Sequence, residues 1–163
     1  MQAETTIHSL TALIDSAIAQ ADQLFVLLQG EQQALLSEDH DSLETLSEQK
    51  LLISQSLDHL ELQRQEILAH AGVNTDSHSM QNFLLANQQN AGFKPLLKSW
   101  QKLLDVLQKA SDQNHLNGIL LEKQRQHVKQ ALNLLFEQSS NPSVYDASGG
   151  TDAPKYTRSV GVV

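Results

Sequence analysis

Seven histidines, nineteen acids and no cysteine bound the chemistry available to this 163-residue chain. Glu38, Asp39 and Asp41 stand close enough to suggest a carboxylate pair. They lie in SEDHDSLE, just ahead of an apolar-periodic run, where acids complement the dipole of a helix start. The histidines are scattered, and no two have the i, i+4 spacing that a helical zinc site needs. His70 and His78 flank a loop and read as solvated. In RQHVKQAL, His127 has Lys129 two residues on and Gln130 after it. A phosphoacceptor histidine on a bundle would have the lysine one place later and a small residue beyond. Without cysteine there is no disulfide, thiolate metal site or thiol nucleophile, and there is no phosphate-binding glycine loop or Gly-x-Ser-x-Gly elbow. No catalytic residue, metal ligand or cofactor is assigned, and the chain is not expected to be an enzyme.

The elements that remain are helices. Leu, Gln, Ala, Ser and Glu dominate, aromatics are 4 %, and Gly and Pro are sparse before the end, which predicts an all-α protein. The net charge of −8 is uneven: residues 1–66 carry 12 acids and 2 bases, the remainder 7 acids and 9 bases. Lys94, Lys98, Lys102 and Lys109 are spaced to meet the acidic half across a bundle. An acidic chain without interleaved aromatics repels phosphate, so no nucleic-acid partner is expected. MQAETTIHSL has no basic stretch leading into an apolar run, and no run of about 18 consecutive apolar residues occurs anywhere. Neither general secretion nor membrane insertion is expected.

Spacing predicts helices over about 5–36, 41–71, 79–91 and 95–137 within a helical domain of residues 1–138. The first seam runs Ile7, Leu10, Ile14, Ala17, Ala21, Leu24, Leu28, Glu31, Leu35, past a locally weakening Gly30. Asp41 and Glu44 have capping-box spacing for the second helix, which carries Lys50 and Arg64 on its seam, expected to snorkel or pair with acids, and ends at Ala71 with Gly72 as its C-cap residue. Pro95 suits a first helical turn. From there Leu97, Trp100, Leu104, Leu107, Ser111, Asn114, Gly118, Leu121, Arg125, Val128, Leu132 and Leu135 form the last seam. A helix this long spans roughly 60 Å at 1.5 Å per residue, which predicts an elongated antiparallel bundle of coiled-coil-like helices. The polar layer Ser111, Asn114, Gly118 reads either as a register device inside the bundle or as a place where a partner helix docks. Ile119, Leu120, Leu121, Val128, Leu132, Leu134, Leu135 and Phe136 span more than one seam, so some of them are free to face a partner.

Residues 139–163 hold both tyrosines, Tyr145 and Tyr156, and two of three prolines. By composition this stretch is a disordered tail, and a tyrosine on such a tail has the profile of an interface anchor.

Three stretches carry a resemblance. LLQGEQQALLSEDHDSLETLSEQKLLISQSLDHLELQRQEIL, with Glu31, Glu48, Lys50, Leu51, Leu52, Leu57, Leu60, Glu61 and Arg64, is similar to the first half of the FlgN family of flagellar export chaperones. NHLNGILLEKQRQHVKQALNLL resembles that family's Asn-x-x-Asn-Gly helix with its downstream Gln-Ala-Leu, and VYDASGG resembles its Tyr-x-x-x-Gly tail. The resemblance covers about residues 10–150.

The resemblance implies a cytoplasmic chaperone of flagellar type III export. It would bind the helical C-termini of the hook–filament junction proteins FlgK and FlgL, prevent their premature assembly and deliver them to the export gate FlhA. Client binding then falls to Asn114, Asn117, Gly118, Leu121, Val128, Leu132 and Leu135, and gate binding to Tyr145 and Gly149; Tyr156 has no counterpart. A self-associating coiled-coil adaptor, for which a homodimer is the simplest form, and a histidine phosphotransfer module are the competing expectations.

Overall fold

The computed structural model describes residues 2–75 and 77–140. They form four helices, α1 (Gln2–Ser37), α2 (His40–His70), α3 (Ser77–Ala86) and α4 (Phe93–Ser140), with no strand among the described residues. The all-α class is as expected; of the tail predicted over 139–163, the first two residues belong to α4 and the rest lies outside the described residues. The chain divides into two compact units, Met1–Lys123 and Gln124–Val163, so the division falls within α4 rather than at its end.

The first unit is built on α1. Its apolar residues recur every three or four positions, and Leu10, Ile14, Ala17, Ala21 and Leu28 are buried as their spacing predicts. By length and composition α1 could cross a bilayer. Here its apolar stripe packs instead against Leu68 of α2, Met80 and Leu84 of α3, and Leu96, Trp100 and Leu103 of α4. Burying each such leucine contributes about 1.5–3 kcal/mol.

A short link turns α1 into α2. Glu38 takes the left-handed conformation (φ 55°) that reverses the chain. Asp39, not Asp41, is the N-cap: its carboxylate accepts from the Ser42 backbone N–H at 3.1 Å and from the Ser42 hydroxyl at 2.6 Å. Those bonds hold the Asp39 carboxyl below its ordinary 3.8. In a run with three acids, the one with serine three residues on becomes the cap. Gly30, close to this end, lets α2 approach: a Cβ there would lie 3.5 Å from the Leu46 side chain. At the far end Gly72 adopts φ 69°, and Val73 N–H bonds to the Leu68 carbonyl at 2.9 Å, closing α2 as predicted.

Helix α3 ends at Ala86, five residues earlier than predicted, because the Asn87 side-chain amide donates to the Phe83 carbonyl (2.8 Å) and the chain turns through Asn90 into Phe93. Phe83 meets Phe93 edge-on at 5.5 Å, tying α3 to the first turn of α4.

Contacts fix the helix directions. Glu31 of α1 pairs with Lys50 of α2 at 2.6 Å, and Arg64, further along α2, lies over Trp100 near the start of α4. Gly92, at the entry to α4, abuts Ile7 near the start of α1, whereas Asn117 bonds to Leu28. Thus α2 is antiparallel to both long neighbours, and α1 and α4 run in the same direction.

Two seam predictions change. In α4 Leu97 and Trp100 are buried as predicted, but the ladder that continues inward is Leu96, Leu103, Ala110 and Asn117, spaced by seven, where Leu104, Ser111 and Gly118 were expected. Lys94, Lys98 and Lys102 are exposed, and Lys109 pairs with Asp105 of its own helix (2.8 Å), with Asp22 of α1 as the smaller attraction across the bundle.

Candidate functional site

The polar layer of the bundle centres on Asn117, which is 3 % exposed. Its amide nitrogen donates to the Leu28 carbonyl and to Glu31 Oε2, both at 2.8 Å, while its oxygen accepts from Gln113 Nε2 at 3.0 Å. The other oxygen of Glu31 takes the Lys50 ammonium at 2.6 Å. One asparagine thereby links all three long helices through a single carboxylate. A buried amide pays its desolvation only in this register, since a slip of one residue would leave it unbonded. Asn117 is consumed by the bundle and is not available as a partner-facing residue. Asn114 and Gly118, assigned with it from sequence, are exposed.

Beside this layer the three helices leave a groove of about 660 Å³. Leu35 of α1, Leu43 of α2 and Leu121 of α4 supply its apolar lining, Glu44 and Glu48 its α2 edge, and Asn114 and Gly118 its α4 edge. A Cβ built on Gly118 would meet nothing within 4 Å, so the groove is open there. A second groove, of about 520 Å³, lies between α1 and α2 and is lined by Val26, Leu27, Leu52 and Ile53.

At the other end of the unit, Arg64 is buried on the α2 seam. Its guanidinium binds both oxygens of Glu61 (2.6 and 2.7 Å), donates to the Thr75 carbonyl at 2.6 Å and lies 5.4 Å from the Trp100 ring centroid. Burial pushes the Glu61 carboxyl up, but the bonds from Arg64 and Gln65 outweigh it and leave the group below its ordinary 4.5. Of the two expectations for Lys50 and Arg64, snorkelling or pairing with acids, pairing is what the structure shows.

In the second unit every described residue from 125 to 137 is exposed. Val128, Leu132 and Leu135 recur at four and three residues on one helical face and are between 47 % and 62 % exposed. Leu134 and Phe136 widen that surface. His127 and Lys129 are exposed as well. Tyr145, Gly149 and Tyr156 lie outside the described residues. Sequence reasoning placed the polar layer at Ser111, Asn114 and Gly118; the structure centres it on Asn117.

Among the described residues no three His, Asp or Glu side chains are placed to hold a metal ion. What the fold and its surfaces define is a helical-bundle protein whose accessible features are apolar stripes and grooves of the size that helices fill. The FlgN protein family model matches residues 1–153, and the chain belongs to the FlgN family. It is 27 % identical over 144 residues to the flagella synthesis protein FlgN of Salmonella typhimurium, covering 87 % of this chain and 89 % of that one. The Proteus mirabilis flagella synthesis protein FlgN is 26 % identical over the same length and coverage. Among solved structures, a Pseudomonas aeruginosa flagella synthesis protein FlgN superposes with a TM-score of 0.62 at 28 % identity, over 69 % of this chain and 86 % of that one. A role in flagellum biogenesis follows from membership of the family.

Proposed function

We propose that this chain is a cytoplasmic chaperone of flagellar type III export. It binds the helical C-termini of the hook–filament junction proteins FlgK and FlgL, keeps them from assembling early, and hands them to the export gate FlhA. The observation that carries this reading is the exposed apolar face of the second unit, Val128, Leu132 and Leu135. A client helix built to pair within a filament has an apolar stripe that must be covered before export, and a helix with a matching exposed stripe covers it by helix-to-helix packing. Asn114, Gly118 and Leu121, which line the groove of the first unit, are proposed as client contacts of that unit by itself; Asn117 supports them from beneath. Tyr145 and Gly149 are the proposed gate contacts.

The test is size-exclusion chromatography with light scattering of the protein mixed with the C-terminal helical segment of a hook–filament junction protein. A discrete complex at about 10 μM is expected for a useful chaperone pair. Self-association without uptake of the segment would favour the adaptor reading instead.

A further inference from the structure

We infer that the groove between α1, α2 and α4 is a docking site for an amphipathic helix that carries Lys or Arg beside its apolar stripe. Charge complementarity selects this occupant. Of the charged groups around the groove, Glu31 and Lys50 neutralise each other at 2.6 Å. Glu44 and Glu48 are left, exposed on one face of α2 at i and i+4, and among the described residues neither is paired. The edge of the groove is therefore net negative, while Leu35, Leu43 and Leu121 make its lining apolar. An occupant with leucines at helical spacing fills the lining. A flanking ammonium or guanidinium then reaches both carboxylates, and an acidic helix of the same shape is repelled.

Gly118 makes room for that occupant. Its backbone is ordinary helix, so nothing in its conformation requires glycine, and glycine there costs about 1 kcal/mol relative to alanine. What a side chain at 118 would fill is the groove itself, since no atom stands within 4 Å of a Cβ built there. This goes beyond the chaperone reading, because it names the chemistry of whatever enters the groove and does not require that occupant to be export cargo.

The experiment uses the full chain and two labelled synthetic helices of about 21 residues. Both carry Leu at the a and d positions of each heptad; one has Lys at the flanking positions and the other Glu. Fluorescence anisotropy reads the affinity at about 50 mM and about 500 mM salt. Wild type is expected to bind the Lys helix at least about tenfold tighter than the Glu helix at low salt, with most of the difference lost at high salt. Glu44→Lys combined with Glu48→Lys should reverse the preference. Gly118→Leu should weaken the Lys helix about tenfold while helicity is kept or gained. Asp58→Lys, at an exposed acid of α2 outside the groove lining, should leave this binding unchanged.

Equal binding of the two helices, no binding at about 100 μM, or folded groove variants that bind as wild type does would each overturn the inference. The hook–filament segment is titrated in parallel. Its failure to bind while the Lys helix behaves as described would remove the chaperone reading and leave the groove assignment standing.

Discussion

Replacing Asn117 with alanine removes the amide that joins α4 to α1. The bond to the Leu28 carbonyl is neutral and the bond to Glu31 is charge-assisted, both 2.8 Å long in a buried setting. Such bonds contribute about 1 and about 1.5–3 kcal/mol respectively. The Leu28 carbonyl keeps its intrahelical bond and Glu31 keeps Lys50, so neither acceptor is stranded, and the expected loss stays near about 2–4 kcal/mol. With a urea slope near 2 kcal/mol per M, the unfolding midpoint falls by about 1–2 M. Circular dichroism in a urea titration measures it. Asn117→Asp sharpens the test, because it sets a second carboxylate against Glu31. That variant should be less stable than Asn117→Ala at neutral pH and regain stability as the pH falls and one carboxylate takes a proton. A midpoint for Asn117→Ala within about 0.3 M of wild type, or an Asn117→Asp variant indifferent to pH, would refute the reasoning.

Leu132→Glu, at an exposed position of the second unit, should leave helicity intact and weaken binding of a hook–filament junction segment at least about tenfold by titration calorimetry. Unchanged affinity would move the client surface elsewhere. The Glu61–Arg64 pair gives a pH dependence of known sign. The carboxyl sits below its ordinary 4.5 in the folded chain, so the stability it contributes is complete above that value and is lost as the pH falls through the folded pKa. Trp100 fluorescence should therefore change in acid before global unfolding, and Glu61→Gln should abolish that early step; an identical acid titration in the variant would dismiss the pair as its source. Tyr145→Ala should preserve folding and client binding while weakening capture by the cytoplasmic part of FlhA in a pull-down. Loss of helicity or of client affinity would contradict that division of roles.

Much of the first unit could be read from the sequence. In α1 apolar residues also flank the seam, but Leu13, Ile18 and Ala34 widen the face that Leu10, Ile14, Ala17 and Leu35 already define, so period and burial agree. In α4 apolar residues come in doublets, Leu96–Leu97, Leu103–Leu104 and Val106–Leu107, and either member satisfies the helical period. Packing against α1 selects the ladder that ends at Asn117, and no periodicity argument can make that choice. The N-cap failed for a related reason: Asp39 and Asp41 are both good caps, and the backbone reversal at Glu38 decides between them. The groove was not legible at all, because Glu31, Glu44 and Gly118 come from three helices and meet only in the fold. The apolar face of the second unit was visible in the sequence as an excess of leucines over what one seam consumes.

The shared direction of α1 and α4 has a kinetic consequence. The Glu31–Lys50 contact closes over 19 residues, whereas the bonds from Asn117 to Glu31 and Leu28 close over 86 and 89. Closing the longer loop costs more chain entropy before any packing repays it. The α1–α2 hairpin is thus expected to form early, with α4 settling onto it last. On the ribosome that order is enforced, since α1 and α2 emerge well before residue 117 is synthesised. A newly made hairpin displays Leu10, Ile14 and Ala21 to solvent until its own last helix arrives.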